Sequence, residues 1–170
     1  MGEWPNWMGD LPTWITTVAV VLAVAQFLAE RKRRRVIEER ERKEQARQLT
    51  AWVVTDPREN DRKYGVVISN TSGSTFHDIA CRVTMHGETV DTDLTLLTPP
   101  PGTYFVPHDP TSTYRWEFAD LASDYGGILR PYMKTPKYQI DSIAFSDNLE
   151  NRWSIDNRAV LTLIDSARSR

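Results

Sequence analysis

Cysteine is nearly absent: Cys81 is the single one among 170 residues. That excludes an intrachain disulfide framework and a thiolate zinc site. Histidine is scarce as well, with only His77, His86 and His108. The chain has no glycine-rich phosphate loop, no HExxH and no CxxC, so the short motifs of nucleotide, zinc-hydrolase and dithiol chemistry are missing. Lys and Arg total 21 against 23 Asp and Glu. Without a basic excess there is no electrostatic footprint of a nucleic-acid binder. The first ten residues hold no Lys or Arg at all.

What is present is distributed unevenly. Residues 1–29 carry only Glu3 and Asp10, residues 30–48 carry nine basic and five acidic side chains, and residues 49–170 carry twelve and sixteen. Such asymmetry is a membrane-surface pattern. The run "LPTWITTVAVVLAVAQFLA", residues 11–29, has no charge over nineteen residues. As a helix it reaches about 28 Å, close to the roughly 30 Å hydrocarbon core of a bilayer. Trp4, Trp7 and Trp14 precede or open the run, where an interfacial aromatic belt belongs. A secretory signal would place its basic residues before the apolar run, and here they follow it. The reading is an extracytoplasmic N-terminus (1–10) and a single transmembrane helix (11–29). Arg31, Lys32, Arg33, Arg34 and Arg35 lie on the cytoplasmic side by the positive-inside rule. Everything after them is then cytoplasmic, at the cell membrane. These five cations also suit anionic lipid headgroups, at about 1 kcal/mol each near the surface.

Residues 30–48 contain no Gly or Pro and are rich in Glu, Arg, Lys and Gln, all good helix formers. Opposite charges recur at i,i+4, as in Arg34–Glu38, Glu38–Arg42 and Glu39–Lys43, which supports a solvated helical stalk continuing the transmembrane helix. Val36, Ile37, Ala46 and Leu49 do not repeat at 3.5 residues, so no coiled-coil seam is read. Association of copies is left to the transmembrane helix. After residue 48 the period becomes two. "TAWVVT", "KYGVVISN", "TFHDIACRVTMHG", "DLTLLT", "YFVPH", "TYRWEFA", "YQIDSIAFSD" and "NRWSID" read as strands, with "RAVLTLI" a last strand or short helix. Many short strands between turn signals predict a mainly β, antiparallel sandwich over 49–170. Ile79, Cys81, Val83 and Met85 share one face of their strand, which makes Cys81 a core side chain; His77 falls on that face and His86 on the other. Trp52, Trp116 and Trp153 are read as core pieces. Asn70-Thr71-Ser72 fits a glycosylation acceptor and equally a turn.

"VVISNTSGSTFHDIACRVTM", the turn "TPPPGT" and "IAFSDNLENRWSIDNRAVLTLI" resemble a group of small actinobacterial single-pass membrane proteins. The resemblance implies one N-terminal helix, a charged stalk and a cytosolic immunoglobulin-like β-sandwich, and it brings no catalytic residues. That group has Gly in the hairpin where this chain has Leu149-Glu150-Asn151, which implies a longer or different turn here.

No catalytic, metal or cofactor residues are assigned. Asp91-Thr92-Asp93 starts like a calcium loop but lacks the downstream Gly and Glu. The stretch "LASDYGGILRPYMKTPKY", residues 121–138, is long for a loop in a compact sandwich, and such loops often carry function. Tyr125, Arg130, Tyr132 and Met133 are the interface-prone types within it. They are the candidate partner surface, unless they close one end of the sandwich. The expected function is a membrane-anchored, non-catalytic protein-interaction or scaffold module with a protein partner. The alternative is a membrane-tethered small-molecule sensor or enzyme with its site in the sandwich loops.

Overall fold

A computed structural model describes residues 11–58 and 62–165, without the side chains of residues 11–15 and 17. Trp4, Trp7 and the side chain of Trp14 lie outside these described residues. The chain divides into two compact units, Met1–Arg42 and Lys43–Arg170.

The first unit is described as a helix, α1, which runs unbroken from Leu11 to Ala46 and passes its last turn into the second unit. No interior Gly or Pro interrupts it. Val18, Val20, Val21, Leu22, Val24, Phe27 and Leu28 are all exposed, and at 100° per residue they point around the circumference only together with the exposed Ala19 and Ala23. Among the described residues no helix is long and apolar enough to cross a membrane. Within the uncharged run, side chains are described without a gap only from Val18 to Ala29. The expected 11–29 span therefore depends in part on side chains outside the description. Further along, Arg34 pairs back to Glu30 at 3.3 Å, in place of the expected Glu38, and Arg42 pairs with Glu38 at 3.9 Å. Both pairs put Glu on the N-terminal side, the better order against the helix dipole. The Arg31 guanidinium lies 4.5 Å from the centre of the Phe27 ring.

The second unit is mainly β, two antiparallel sheets that share a core. One sheet has the order β7-β6-β2-β1-β8, built from β1 (Leu49–Asp56), β2 (Lys63–Asn70), β6 (Gly102–His108), β7 (Asp120–Leu121) and β8 (Arg130–Pro131). The other has the order β11-β10-β9-β3-β4, from β3 (His77–Met85), β4 (Glu88–Thr89), β9 (Gln139–Ser146), β10 (Arg152–Asp156) and β11 (Leu161–Asp165); β5 (Leu94–Leu96) also pairs with β3. Period-two patterning explains the core. Leu49, Val53, Val66, Ile68 and Val106 come from the first sheet and Ile79, Cys81, Val83, Ile143, Phe145 and Trp153 from the second.

Several expectations change. The helix ends at Ala46, not at residue 48, and Ala46 is itself a core residue. Gln45 donates a side-chain hydrogen bond to Ser74, so the last helical turn is part of the β unit. Asp78 has φ 49° and the β3–β9 register shifts between His77 and Ala80. This bulge resets the alternation: Phe76 and Ile79 both face the core, and His77 leaves the face of Cys81. "TYRWEFA" is not a strand; apart from one bridge, His108 to Trp116, it is loop. Trp52 is 37% exposed because its neighbour Val53 takes the inward position. Asn70 is buried at the end of β2. Its buried amide donates to the Ser74 and Pro99 carbonyls, while its oxygen accepts from the Ser72 N–H and hydroxyl.

The hairpin Asp147–Asn151 joins β9 to β10. Glu150 takes φ 60° in the left-handed region. Asp147 holds the turn by accepting hydrogen bonds from the Leu149 and Asn151 N–H groups, the Asn151 amide and the Trp153 indole, at 2.8–3.1 Å.

Gly65 in β2 marks a close approach. A Cβ there would stand 2.4 Å from the Phe105 ring and 2.5 Å from the Val106 carbonyl oxygen. Backbone cannot yield as a flexible side chain does, so Gly65→Ala should cost about 1–3 kcal/mol. Thermal denaturation measures this; an unchanged midpoint would mean that β6 moves freely against β2.

Candidate functional site

The 121–138 stretch divides into two parts with different tasks. β7 pairs with β6 at one edge of the first sheet, and β8 pairs with β1 at the opposite edge. Residues 122–129 must therefore cross the outer face of that sheet. There Val54, Val67 and Phe105 form a second apolar cluster, covered by Tyr125 and Leu129. Tyr125 meets the Phe105 ring edge-on at 4.8 Å, and Arg58 lies 4.7 Å over its other face. Its hydroxyl donates to Asp120 at 2.8 Å. Burial, then that contact with Asp120, pushes the phenol up to about 12. Arg58 also binds Asp56 through both carboxylate oxygens and holds that carboxyl below its usual range. This half of the loop is a cover.

The second half borders a groove. β8 pairs with β1 only at Val54 and Thr55. One more bond, from the Tyr132 N–H to the Val53 carbonyl at 3.0 Å, ends the contact. Residues 133–137 then turn away and lead into β9. Because β8 is so short, the inner face of β9 and β10 extends beyond what the first sheet covers. The resulting groove has a volume of about 780 Å³ and is lined by Leu49–Val53, the 132–140 segment, Ile143, Ile155 and Leu161. Met133 is 83% exposed at its border. Arg47 and Lys134 also line it, and among the described residues neither has an acidic partner. Asp156, the acid on this rim, is engaged in accepting from the N–H groups of Arg158 and Val160.

Tyr132 enters an aromatic stack behind the groove. Its ring lies 4.2 Å from that of Tyr138, which in turn lies 5.2 Å from Tyr64. The Tyr138 hydroxyl is 2.8 Å from His86 Nδ1, and the His86 ring stands edge-on to Tyr64 at 4.6 Å. The Tyr138 hydroxyl, then burial, raises the Tyr64 phenol; burial, then Tyr64, raises Tyr132. These phenols stay protonated, a structural arrangement more than an acid–base one. Of the four expected surface residues, then, the structure brings Tyr132 and Met133 to the groove. It puts Tyr125 over the outer face, and Arg130 on β8 outside the lining. Sequence reasoning missed Arg47, Lys134 and the exposed edge of β1; only the brevity of β8 could have revealed them, and no local signal encodes it.

A second crevice lies between β5 and the 112–120 loop, beside Phe118, 94% exposed, and Tyr114, 79% exposed. Its charges are largely engaged: Asp93 with Arg82, Glu117 with Lys63 and Asp120 with Tyr125. Cys81 is fully buried, and burial, then Asp93, pushes its thiol up to about 12, so it is not a thiolate nucleophile. Burial, then Arg115, lowers the affinity of His108 for a proton. Among the described residues, no three His, Cys, Asp or Glu side chains come together as a metal site, and no buried side-chain polar atom lacks a partner. In comparisons with known proteins, the chain matches no family model, no curated protein and no solved structure.

Proposed function

We propose that this chain is a single-pass membrane protein whose β unit serves as a non-catalytic protein-interaction module on the cytoplasmic side. The groove at the β1 edge carries the reading: an apolar lining, an exposed Met133 and two cations without an acidic partner among the described residues suit a protein partner. Support for the anchor is the uncharged run 11–29 followed at once by Arg31–Arg35. The side chains around α1 from Val18 to Leu28 favour apolar surroundings on every side. Support for an immunoglobulin-like sandwich is the strand order: β1-β2-β6 faces β3-β9-β10 as strands A-B-E face C-F-G in that fold. The buried Trp153 lies on β10, not on the third strand where antibody domains carry theirs.

The test has two arms. A reporter active only outside the cytoplasm should be silent when fused after Arg170 and active when fused before Met1; the reverse pattern rejects the orientation. A photo-crosslinking side chain at position 133 should capture a protein in native membranes, where the same group at Tyr114 does not. The alternative, a small-molecule sensor, has one observation in its favour: about 780 Å³ lies within the range of ligand pockets. Capture of no protein together with a retained apolar metabolite would favour it.

A further inference from the structure

We infer that the groove takes its partner by strand addition: an extended peptide, apolar at alternate positions and acidic between them, pairs with the free edge of β1. This inference rests on the interaction-module reading and names the partner class for the same site.

The geometry follows from the parity of β1. The Gln48 carbonyl accepts from Thr71 on the β2 side, whereas the Val53 carbonyl accepts from Tyr132 on the β8 side. Even positions thus direct their backbone groups to β2, and odd positions direct them to the open edge. Thr55 is paired with Arg130 on β8. Leu49 and Ala51 have partners only on β2; Leu49 is wholly buried in the core, so among the described residues the accessible edge-facing N–H and C=O groups that meet no strand are those of Ala51. Such an edge is a template for another strand. Natural edges are blunted by short strands or inward charges, and here β8 shields only the far end of β1.

A peptide lying in line with β8 would turn alternate side chains onto Ile155 and Leu161, the half-buried inner surface that the first sheet leaves uncovered. Charge selects the rest of its composition. Arg47 and Lys134 stand on the rim without acidic partners among the described residues, while Asp156 is engaged with its own turn. Acidic side chains on the peptide would complete both cations, and a basic peptide would be repelled. The crevice by Phe118 also borders a short edge strand, but its charges are largely engaged, so it lacks this complementarity.

The experiment uses the full chain in a non-ionic detergent and a displayed library of short random peptides. Selected peptides should alternate apolar and acidic residues, and on binding should slow amide exchange at Ala51. Ala51→Pro removes one edge-facing N–H without touching the β2 ladder. It should weaken the selected peptides by about tenfold or more, the loss of a buried backbone hydrogen bond with its partner left unsatisfied. Reversing the rim with Arg47→Glu and Lys134→Glu, both exposed and safe for folding, should weaken them similarly and admit versions with Lys in place of Glu. Selected peptides without alternation, or unchanged exchange at Ala51, would overturn strand addition. So would a result in which only a second copy of the chain, or only phosphatidylserine vesicles, occupies the groove. Capture from position 133 that survives Ala51→Pro rejects strand addition alone, whereas no capture at all rejects the interaction module itself.

Discussion

Asp147→Ala should lower the thermal midpoint of the β unit by roughly 10–20 °C, the equivalent of about 2–5 kcal/mol. Asp147, Asn151 and Trp153 are all buried, at 6%, 5% and 3% exposure. The carboxylate accepts from two backbone N–H groups, the Asn151 amide and the Trp153 indole. Its removal strands the indole and amide donors, and each buried donor without an acceptor costs about 1–3 kcal/mol. The turn suffers too, because Glu150 stays in its left-handed conformation only while the carboxylate holds the residues on either side of it. Asp147→Asn keeps one acceptor oxygen and should fall between wild type and Ala. A midpoint within about 2 °C of wild type for the Ala variant would show that water reaches the hairpin and replaces the carboxylate.

The second large effect separates two neighbours in sequence. Tyr132 belongs to the core-facing stack with Tyr138 and Tyr64, whereas Met133 is 83% exposed. Tyr132→Ala should cost about 2–4 kcal/mol, near the low end for truncating a large aromatic because the ring is only partly buried. It should also loosen Tyr138 and His86. Met133→Ala should leave stability within about 0.5 kcal/mol and reduce partner capture sharply, as loss of an exposed apolar anchor does. Melting curves of the two single variants, and their crosslinking yields with the photo-crosslinking side chain moved to the groove position Thr135, give the answer. If Met133→Ala melts early and Tyr132→Ala does not, Met133 is the buried neighbour and the segment 132–138 does not border the groove. If neither variant changes capture, the partner binds elsewhere, and the crevice beside Phe118 is the next surface to mutate.

Much of the β architecture is legible along the chain because period-two burial is a local signal. "KYGVVISN" is β2 to the residue, and Ile79, Cys81, Val83 and Met85 line one buried face. The helix formers from residue 30 onward place a helix with equal clarity, since propensity and i,i+4 charge act within one or two turns. The failures begin where a distant partner decides. Asp78 forms a bulge because β3 must meet β9 out of step, and nothing near "FHDI" announces it. Trp52 faces outward because Val53 is the residue that meets the second sheet.

The loop 121–138 shows the same division. Its composition is correctly unusual, yet apolar side chains alone do not say whether they cover a sheet or await a partner. Tyr125 becomes a cover because β7 and β8 attach to opposite edges of one sheet, which forces the intervening residues across its outer face. The groove exists because β8 stops after two residues while β10 and β11 continue. Both outcomes rest on the pairing of β8 with β1, strands that are not neighbours in the sequence. Local sequence carries the side chains' chemistry and their alternation. Which edge is left unpaired, and so which cations and carbonyls meet a partner, is settled only when the two sheets close on each other.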